Sequence, residues 1–205
     1  MERRADAAMP MKPPIALPLG ELVPSPHLFG HGSTLHGQSH VARVMVHAFC
    51  LIDATGWREE APRLWAAVYI HDLARTHDGV CYRHGGDAVN KLKTLPHLQV
   101  LFGLGGVQDS DYPFIHTAVV HHSLPNELDK DHPHWRLTSL LKDADGLDRV
   151  RLYDLDPRYL RNPQAREMVD FAQALFDETD GVVPVGDGHF AELWPEAMRL
   201  RGGLR

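Results

Sequence analysis

The stretch REEAPRLWAAVYIHDLART, residues 58–76, decides the fold. Leu64 and Val68 are four positions apart, and His71 and Asp72 continue this helical spacing, which predicts a helix with one apolar face. That face ends in an imidazole and a carboxylate, where a core helix usually carries aliphatic side chains. Two explanations are open: a helix end that happens to bear a polar pair, or the floor of a metal site.

Five further segments combine helical spacing with start and stop signals, and no stretch alternates as a half-buried strand does. Ser39, Asp111 and Asn162 are candidate N-caps. Gly56 and Gly181 are candidate stops. The helical segments are residues 39–56, 58–76, 84–95, 110–123, 134–150 and 162–181. This pattern predicts an all-α fold, a single helical bundle.

The ends of the chain differ from its middle. Prolines concentrate near the N-terminus, which predicts a Pro-rich flexible segment over residues 1–34. Residues 35–180 hold the helical segments and form the predicted domain. Beyond the last helix, Pro184 and neighbouring glycines favour a loop, so residues 181–205 are predicted to be a C-terminal tail.

Composition limits the classes of protein that the chain can belong to. With 205 residues, 43% hydrophobic and 23% charged, it suits one globular domain. The net charge is −6 and no dense Lys/Arg block occurs, which disfavours duplex nucleic acid as a partner. No apolar run approaches a membrane span. The two cysteines form no CxxC pair and the N-terminus lacks a long apolar core, so we expect a cytoplasmic protein without a membrane partner.

Histidine is abundant, with 15 in the chain, and several lie on predicted helical faces together with aspartates. Each such residue alone is more simply a surface or hydrogen-bonded side chain. Together they would be costly to bury unless something compensates them, and a divalent metal does so. The residues in question are His36, His40, His71, Asp72, His84, His121, His122 and Asp145. Of the three aspartates that end the helix over 134–150, Asp145 and Asp148 lie nearer its apolar stripe than Asp143.

Three motifs resemble the signatures of the HD-domain superfamily of metal-dependent phosphohydrolases. They are HVARV (residues 40–44), HD (residues 71–72) and KDADGLDRVR (residues 142–151). The resemblance covers roughly residues 35–180 and implies an all-helical HD domain. The implied first metal ligands are His40, His71, Asp72 and Asp145.

Two further matches, HDLARTHDGVCYRHG and HTAVVHHS, are similar to a branch of the superfamily with extra histidines. In that branch the HD aspartate bridges two metals. Mapped here, Asp72 would bridge, and His84 with His121 or His122 would hold the second ion, since helical phase does not separate the last two. The implied cofactors are one or two divalent ions, iron or manganese first, with magnesium, cobalt, nickel and zinc as further candidates.

The implied activity is hydrolysis of a phosphoester or phosphoanhydride in a small phosphorylated molecule, a nucleotide in particular, by a metal-activated water. Bacterial diadenosine tetraphosphate hydrolases have a comparable arrangement of motifs, which makes their substrate a candidate. Beside Asp72, the expected catalytic residues are the cations Arg75, Lys142 and Arg149, and His36 as an orienting residue or proton donor. Two alternatives stay open: a di-iron oxygenase with the same ligand types, and a non-catalytic nucleotide-binding protein.

Overall fold

A computed structural model describes residues 11–204 of the chain. Within this range it has no β-strand, which confirms the all-α class. The helices are α1 (Gln38–Thr55), α2 (Ala61–Ile70), α3 (His84–Leu92), α4 (Pro96–Leu104), α5 (Tyr112–His122), α6 (Trp135–Leu147), α7 (Pro163–Arg166), α8 (Val169–Thr179) and α9 (His189–Gly203). Short 3₁₀ turns include Arg58–Glu60, Asp148–Leu152 and Pro157–Tyr159. None of the helices in residues 11–204 combines the length and apolarity needed to cross a membrane.

Helix α1 is the centre of the bundle, in contact with α2, α6, α8 and α9. It is buried on every side from His40 to Ile52, so polar side chains on α1 are also enclosed. Gly56 ends the helix with a φ of 74°, a left-handed conformation that favours glycine. Contacts of α2 and α5 with α6, and of α3 with α5, bring the ends of these four helices together beside the N-terminal half of α1.

Several predicted boundaries were wrong. The segment over 58–76 stops being helical at Ile70 and continues as turns, and the segment over 162–181 is broken between α7 and α8. Helix α1 begins at Gln38 with Gly37 as its N-cap, in place of Ser39. Helices α4 and α9 were not predicted at all. Pro195 lies inside α9, which explains why its sequence does not read as a helix.

The predicted flexible segment and C-terminal tail differ from what the structure shows. Residues 11–34 pack on the bundle: Leu22 is fully buried, and its carbonyl accepts a hydrogen bond of 2.9 Å from Trp65 Nε1. In the other segment, α9 buries Phe190 and Trp194 against Phe49 of α1. Residues 1–10 and 205 lie outside the described range. Packing against apolar surface of the bundle orders both segments, and no local sequence pattern reveals such packing.

His47 of α1 is a buried histidine whose two ring nitrogens have no hydrogen-bond partner. Its ring packs edge-on against Phe171, with centroids 6.0 Å apart. Burial lowers the pKa of His47 to about 4 from its ordinary value of 6.5. Between these two pH values the unfolded chain binds a proton at His47 that the folded chain does not, so the contribution of His47 to folding stability falls as the pH falls.

We expect His47→Leu to stabilise the protein by roughly 1–3 kcal/mol at neutral pH, because two buried unsatisfied nitrogens are removed. The gain should widen by up to about 1.4 kcal/mol per pH unit as the pH falls from about 6.5 to about 4. Urea unfolding at a series of pH values measures both effects. His97→Leu, the same substitution at an exposed position, is the control. An unchanged pH dependence in His47→Leu would contradict the assignment.

Candidate metal centre

The carboxylate of Asp72 lies where the four helix ends meet. His71 and Asp72 follow directly on the last residue of α2, in the turn that ends it. His40 comes from the first turns of α1, and Asp145 from the last turn of α6. Two further histidines lie at helix ends: His84 is the first residue of α3, and His122 is the last residue of α5.

One oxygen of Asp72, Oδ2, faces a first group of ligand atoms. His40 Nε2 lies 3.5 Å from it and His71 Nε2 lies 3.8 Å from it. The same His40 nitrogen is 3.3 Å from Asp145 Oδ1 and 3.3 Å from His71 Nε2. Their side chains are enclosed except that of Asp145, which is 31% exposed and faces a cavity. His40, His71 and Asp145 have possible ligand atoms within 4.8 Å of one another.

The other oxygen, Oδ1, faces a second group. His84 Nε2 lies 3.2 Å from it and His122 Nε2 lies 3.9 Å from it. These two imidazole nitrogens are only 2.8 Å apart. Arg75 Nε donates a hydrogen bond of 2.8 Å to the same oxygen. Asp72 thus has one oxygen toward each group, as a carboxylate that bridges two cations would.

The opposite nitrogen of each histidine fixes which ring atom faces Asp72. The Nδ1 atoms of His71, His84 and His122 each donate to the carbonyl three residues earlier, which belongs to Val68, Cys81 and Val119 respectively. In neutral rings the Nε2 atoms then carry lone pairs. Lone pairs held this close repel one another unless a cation lies between them. The donor set of imidazole and carboxylate, with its lone pairs converging, therefore fits a divalent metal.

Asp148 supports His40 from behind. Its Oδ2 accepts a hydrogen bond of 2.7 Å from His40 Nδ1, and its Oδ1 accepts one of 2.6 Å from Arg43 Nε. Both Asp148 and Arg43 are buried, and Arg43 also donates to Asp180 at 3.0 Å. A carboxylate on the far nitrogen of a histidine orients the ring and increases its basicity toward a metal. The sequence placed Asp148 near the apolar stripe but did not identify this contact.

Asp143 corrects one expectation about this helix. It was expected to lie farther from the apolar stripe than Asp145 and Asp148, yet it is fully buried. Its carboxylate accepts hydrogen bonds from the backbone N–H groups of Arg161 and Asn162, at 2.8 and 2.7 Å. These hydrogen bonds hold the segment that contains Arg161 and Asn162 against α6, and the carboxylate does not face the candidate metal centre.

Most of the pKa shifts favour the protonation states that bind metal; the exception is His40, where burial lowers the pKa but the hydrogen bonds with Asp145 and Asp148 raise it above its ordinary value. Burial lowers the pKa of His71 to about 3, and burial together with His122 lowers that of His84 to about 4. Burial raises the pKa of Asp72, but His71 and the other imidazoles outweigh it and hold the value well below the ordinary one. Neutral imidazoles and ionised carboxylates are the forms that ligate metals.

The structure separates two residues that helical phase left undecided. His122 is the one that faces Asp72: its Nε2 lies 3.9 Å from Asp72 Oδ1 and 2.8 Å from His84 Nε2. His121 has a buried Nδ1 without a hydrogen-bond partner. Lys142, predicted as a catalytic cation, is also directed elsewhere: its Nζ donates to the carbonyls of Leu124 and Asn126 and to Glu127.

A cavity of about 210 Å³ opens on the Asp72 cluster. The predicted residues Arg75, Arg149 and His36 line it, together with Arg151, which the sequence did not single out as catalytic. His36 Nδ1 lies 3.1 Å from Asp72 Oδ2, and Arg151 Nη2 lies 3.5 Å from the same His36 nitrogen. Arg151 follows Asp148 by three residues, a spacing that could have flagged it, because its guanidinium contacts the Asp148 backbone and side chain.

Comparison with known proteins adds no relationship to this geometry. No family model, curated protein or solved structure matches the chain.

Gly85 allows α3 and α5 to come close enough for His84 and His122 to meet. An alanine Cβ at this position would lie 2.1 Å from the Val119 carbonyl oxygen, which real Cβ atoms do not approach. At Gly86, the next residue of the same helix, a Cβ would meet nothing within 4 Å.

We expect Gly85→Ala to destabilise the fold by about 1–3 kcal/mol because α3 must move away from α5. The same movement should separate His84 from His122 and lower the number of metal ions bound per chain. Gly86→Ala should retain the metal and gain up to about 1 kcal/mol of helix stability. Urea unfolding and elemental analysis measure both variants, and equal behaviour of the two would contradict this account.

The neighbours His121 and His122 provide a matched pair for the ligand assignment. We expect His122→Ala to bind fewer metal ions per chain than the wild type, because it removes one of the Nε2 atoms that face Asp72 Oδ1. His121→Ala should bind the same number of ions as the wild type. Elemental analysis of protein purified without chelator or nickel resin gives the count. Loss of metal in His121→Ala alone would reverse the assignment.

Proposed function

We propose that the protein is a metal-dependent phosphohydrolase of the HD-domain type, which cleaves a phosphoester or phosphoanhydride bond. The observation that carries the proposal is the division of Asp72, with one oxygen toward His40 and His71 and the other toward His84 and His122. This arrangement supports the bridging role that the sequence resemblance implies for Asp72. The order of His40, His71–Asp72 and Asp145 along the chain supports the family assignment.

The groups around Asp72 suit two divalent ions, with His40, His71 and Asp145 at one and His84 and His122 at the other. When bound, such ions activate a water molecule and neutralise charge on the phosphoryl oxygens. His40 is held for this role by Asp148, and the other three imidazoles by backbone carbonyls. The residues therefore present fixed ligands, and little reorganisation is required when the ions bind.

The cations of the cavity are suited to binding a phosphoryl group. Arg75 is oriented by Asp72 and by the carbonyl of Gly79. Arg151 is oriented by the carbonyls of Leu35 and Asp148, and both side chains are largely buried. Guanidinium groups fixed in this way stabilise the charge that accumulates on a phosphoryl group in the transition state without being reoriented first. Arg149 lines the same cavity and forms an ion pair with Asp154.

We assign two roles to His36. It lines the cavity and contacts Asp72, so it orients the Asp72 carboxylate. An imidazole beside the phosphoryl site can also give a proton to the leaving oxygen. Lys142 is not retained as a catalytic residue, because its ammonium group is already held by two carbonyls and by Glu127.

The test is phosphate release from a small chromogenic phosphoester by protein purified with its metal, both in air and under anaerobic conditions. We expect hydrolysis that is independent of oxygen, and its loss in Asp72→Asn together with bound metal. Arg151→Lys should lower kcat by about 10²–10³, the usual effect of losing one fixed charge-stabilising donor. Arg199→Lys is the control, because Arg199 is exposed and forms its ion pair with Glu196.

Other outcomes would replace the proposal. Oxygen consumption without phosphate release would favour a di-iron oxygenase, for which the same types of ligand are suitable. Bound metal without either reaction would favour the non-catalytic binding protein. No bound metal, even after reconstitution with iron or manganese, would overturn the metal centre itself.

A further inference from the structure

A cavity of about 900 Å³ lies between the N-terminal segment and α9. Residues 11–17 line one side of it, and one face of α9, which includes Trp194 and Met198, lines the other. It has no lining residue in common with the 210 Å³ cavity at Asp72. The catalytic proposal therefore gives this cavity no role.

The lining of this cavity is apolar except for two cations, Lys12 and Arg199, and Arg199 is already bound to Glu196. Ile15 and Trp194 are among its buried apolar residues. Single apolar side chains are ordinary on protein surfaces, but a concave apolar region of this size is typical of a binding site. The volume lies within the roughly 300–1,000 Å³ of small-molecule sites.

The chemistry of the lining favours a hydrocarbon chain over a polar ligand. Most of the lining side chains are those of proline, alanine, isoleucine, leucine and methionine, which donate no hydrogen bonds. A sugar or a nucleobase placed here would lose its hydrogen bonds to water without replacement. An unbranched hydrocarbon chain has no such bonds to lose and gains free energy from each methylene that it buries.

The charged side chains leave an excess of positive charge at one margin of the cavity. Lys12 also lines an adjoining cavity of about 390 Å³, which Arg58 lines as well. The carboxylate of Asp53 in that lining already accepts a hydrogen bond of 2.9 Å from Arg201. Lys12 and Arg58 are both exposed. An anionic group at this margin is therefore attracted by two cations.

We propose that the 900 Å³ cavity binds a long-chain carboxylate, with the chemistry of a free fatty acid. The hydrocarbon chain lies between residues 13–17 and α9, and the carboxylate lies beside Lys12, where the two cavities meet. A molecule with one apolar chain and one anionic end matches both the apolar lining and the positive margin. The site is separate from the metal centre, so its test does not depend on the proposed phosphohydrolase function.

The test is isothermal titration calorimetry of the full-length protein with octanoate, decanoate and dodecanoate, each below the concentration at which it forms micelles. We expect one dodecanoate to bind per chain. Each additional buried methylene should tighten binding by up to about fourfold. Equal affinity for octanoate and dodecanoate would overturn the inference, because the hydrocarbon chain would then not be buried.

Two alanine variants test the place of binding. Ala16→Trp should abolish dodecanoate binding, because the indole fills the cavity that exposed Ala16 lines. Ala54→Trp is the matched control, because Ala54 is exposed and lines neither cavity, and it should bind as the wild type does. Far-UV circular dichroism checks that both variants are folded. Binding that survives in Ala16→Trp would overturn the assignment to this cavity.

The anionic end is tested by comparing dodecanoate with dodecanol, which has the same chain and no charge. Lys12→Met should weaken dodecanoate binding about two- to fivefold, the usual effect of one exposed ion pair, and leave dodecanol binding unchanged. Lys130→Met, at another exposed lysine, should change neither. Asp72→Asn should also bind dodecanoate as the wild type does. Loss of binding in that variant would place the carboxylate at the metal centre and overturn the inference.

Two other occupants of the cavity are possible outcomes. If dodecanoate does not bind the wild type, the inference is overturned. A dimer seen by light scattering, and dissociated by Ala16→Trp, would then assign the cavity to a second copy of the chain. Binding to vesicles of anionic phospholipid, lost in Ala16→Trp, would instead assign it to a membrane surface.

Discussion

The two oxygens of Asp72 face different groups of imidazoles, and this one carboxylate connects the ends of α2, α3, α5 and α6 with the side of α1. In a helical bundle such a cluster would ordinarily be destabilising, because it combines buried carboxylates with neutral rings whose lone pairs converge. Divalent cations between these atoms would turn the repulsion between the lone pairs into ligation. The packing of five helices around one point and the chemistry proposed for that point therefore depend on the same group.

The rest of the fold holds the ring nitrogens in position. At a helix end the last carbonyls lack intrahelical partners, so the rings of His71 and His122 can donate to them without disturbing the helix. His40 lies within α1, where such carbonyls are already used, and it relies on Asp148. Asp148 is in turn neutralised by buried Arg43, which also reaches Asp180 after α8. The C-terminal part of the bundle thereby contributes to the orientation of His40, a candidate metal ligand.

Much of the fold could be predicted from local signals. The apolar stripes of α1, α2 and α5, and stops such as Gly56, are properties of short stretches of chain. The failures occurred where distant contacts decide: residues 11–34 are ordered because Leu22 and Ile15 find apolar surface on the bundle, and α9 because Phe190 and Trp194 pack on Phe49. Asp143 was misplaced for a similar reason, since its partners Arg161 and Asn162 come from a loop whose path the helical pattern does not specify.

By itself, the sequence determined the all-α class and the residue types of the candidate site, because helical periodicity and the positions of His and Asp on apolar stripes are visible in short windows. Only the tertiary structure decided that His122 faces Asp72 and His121 does not. It alone also shows that Lys142 binds Glu127 and that Arg151 lies close to His36. Neighbouring helical residues differ in direction by about 100°. A small uncertainty in where a helix ends therefore changes which of two neighbouring residues faces the candidate metal centre. Only the packing of the helices fixes the direction of each side chain.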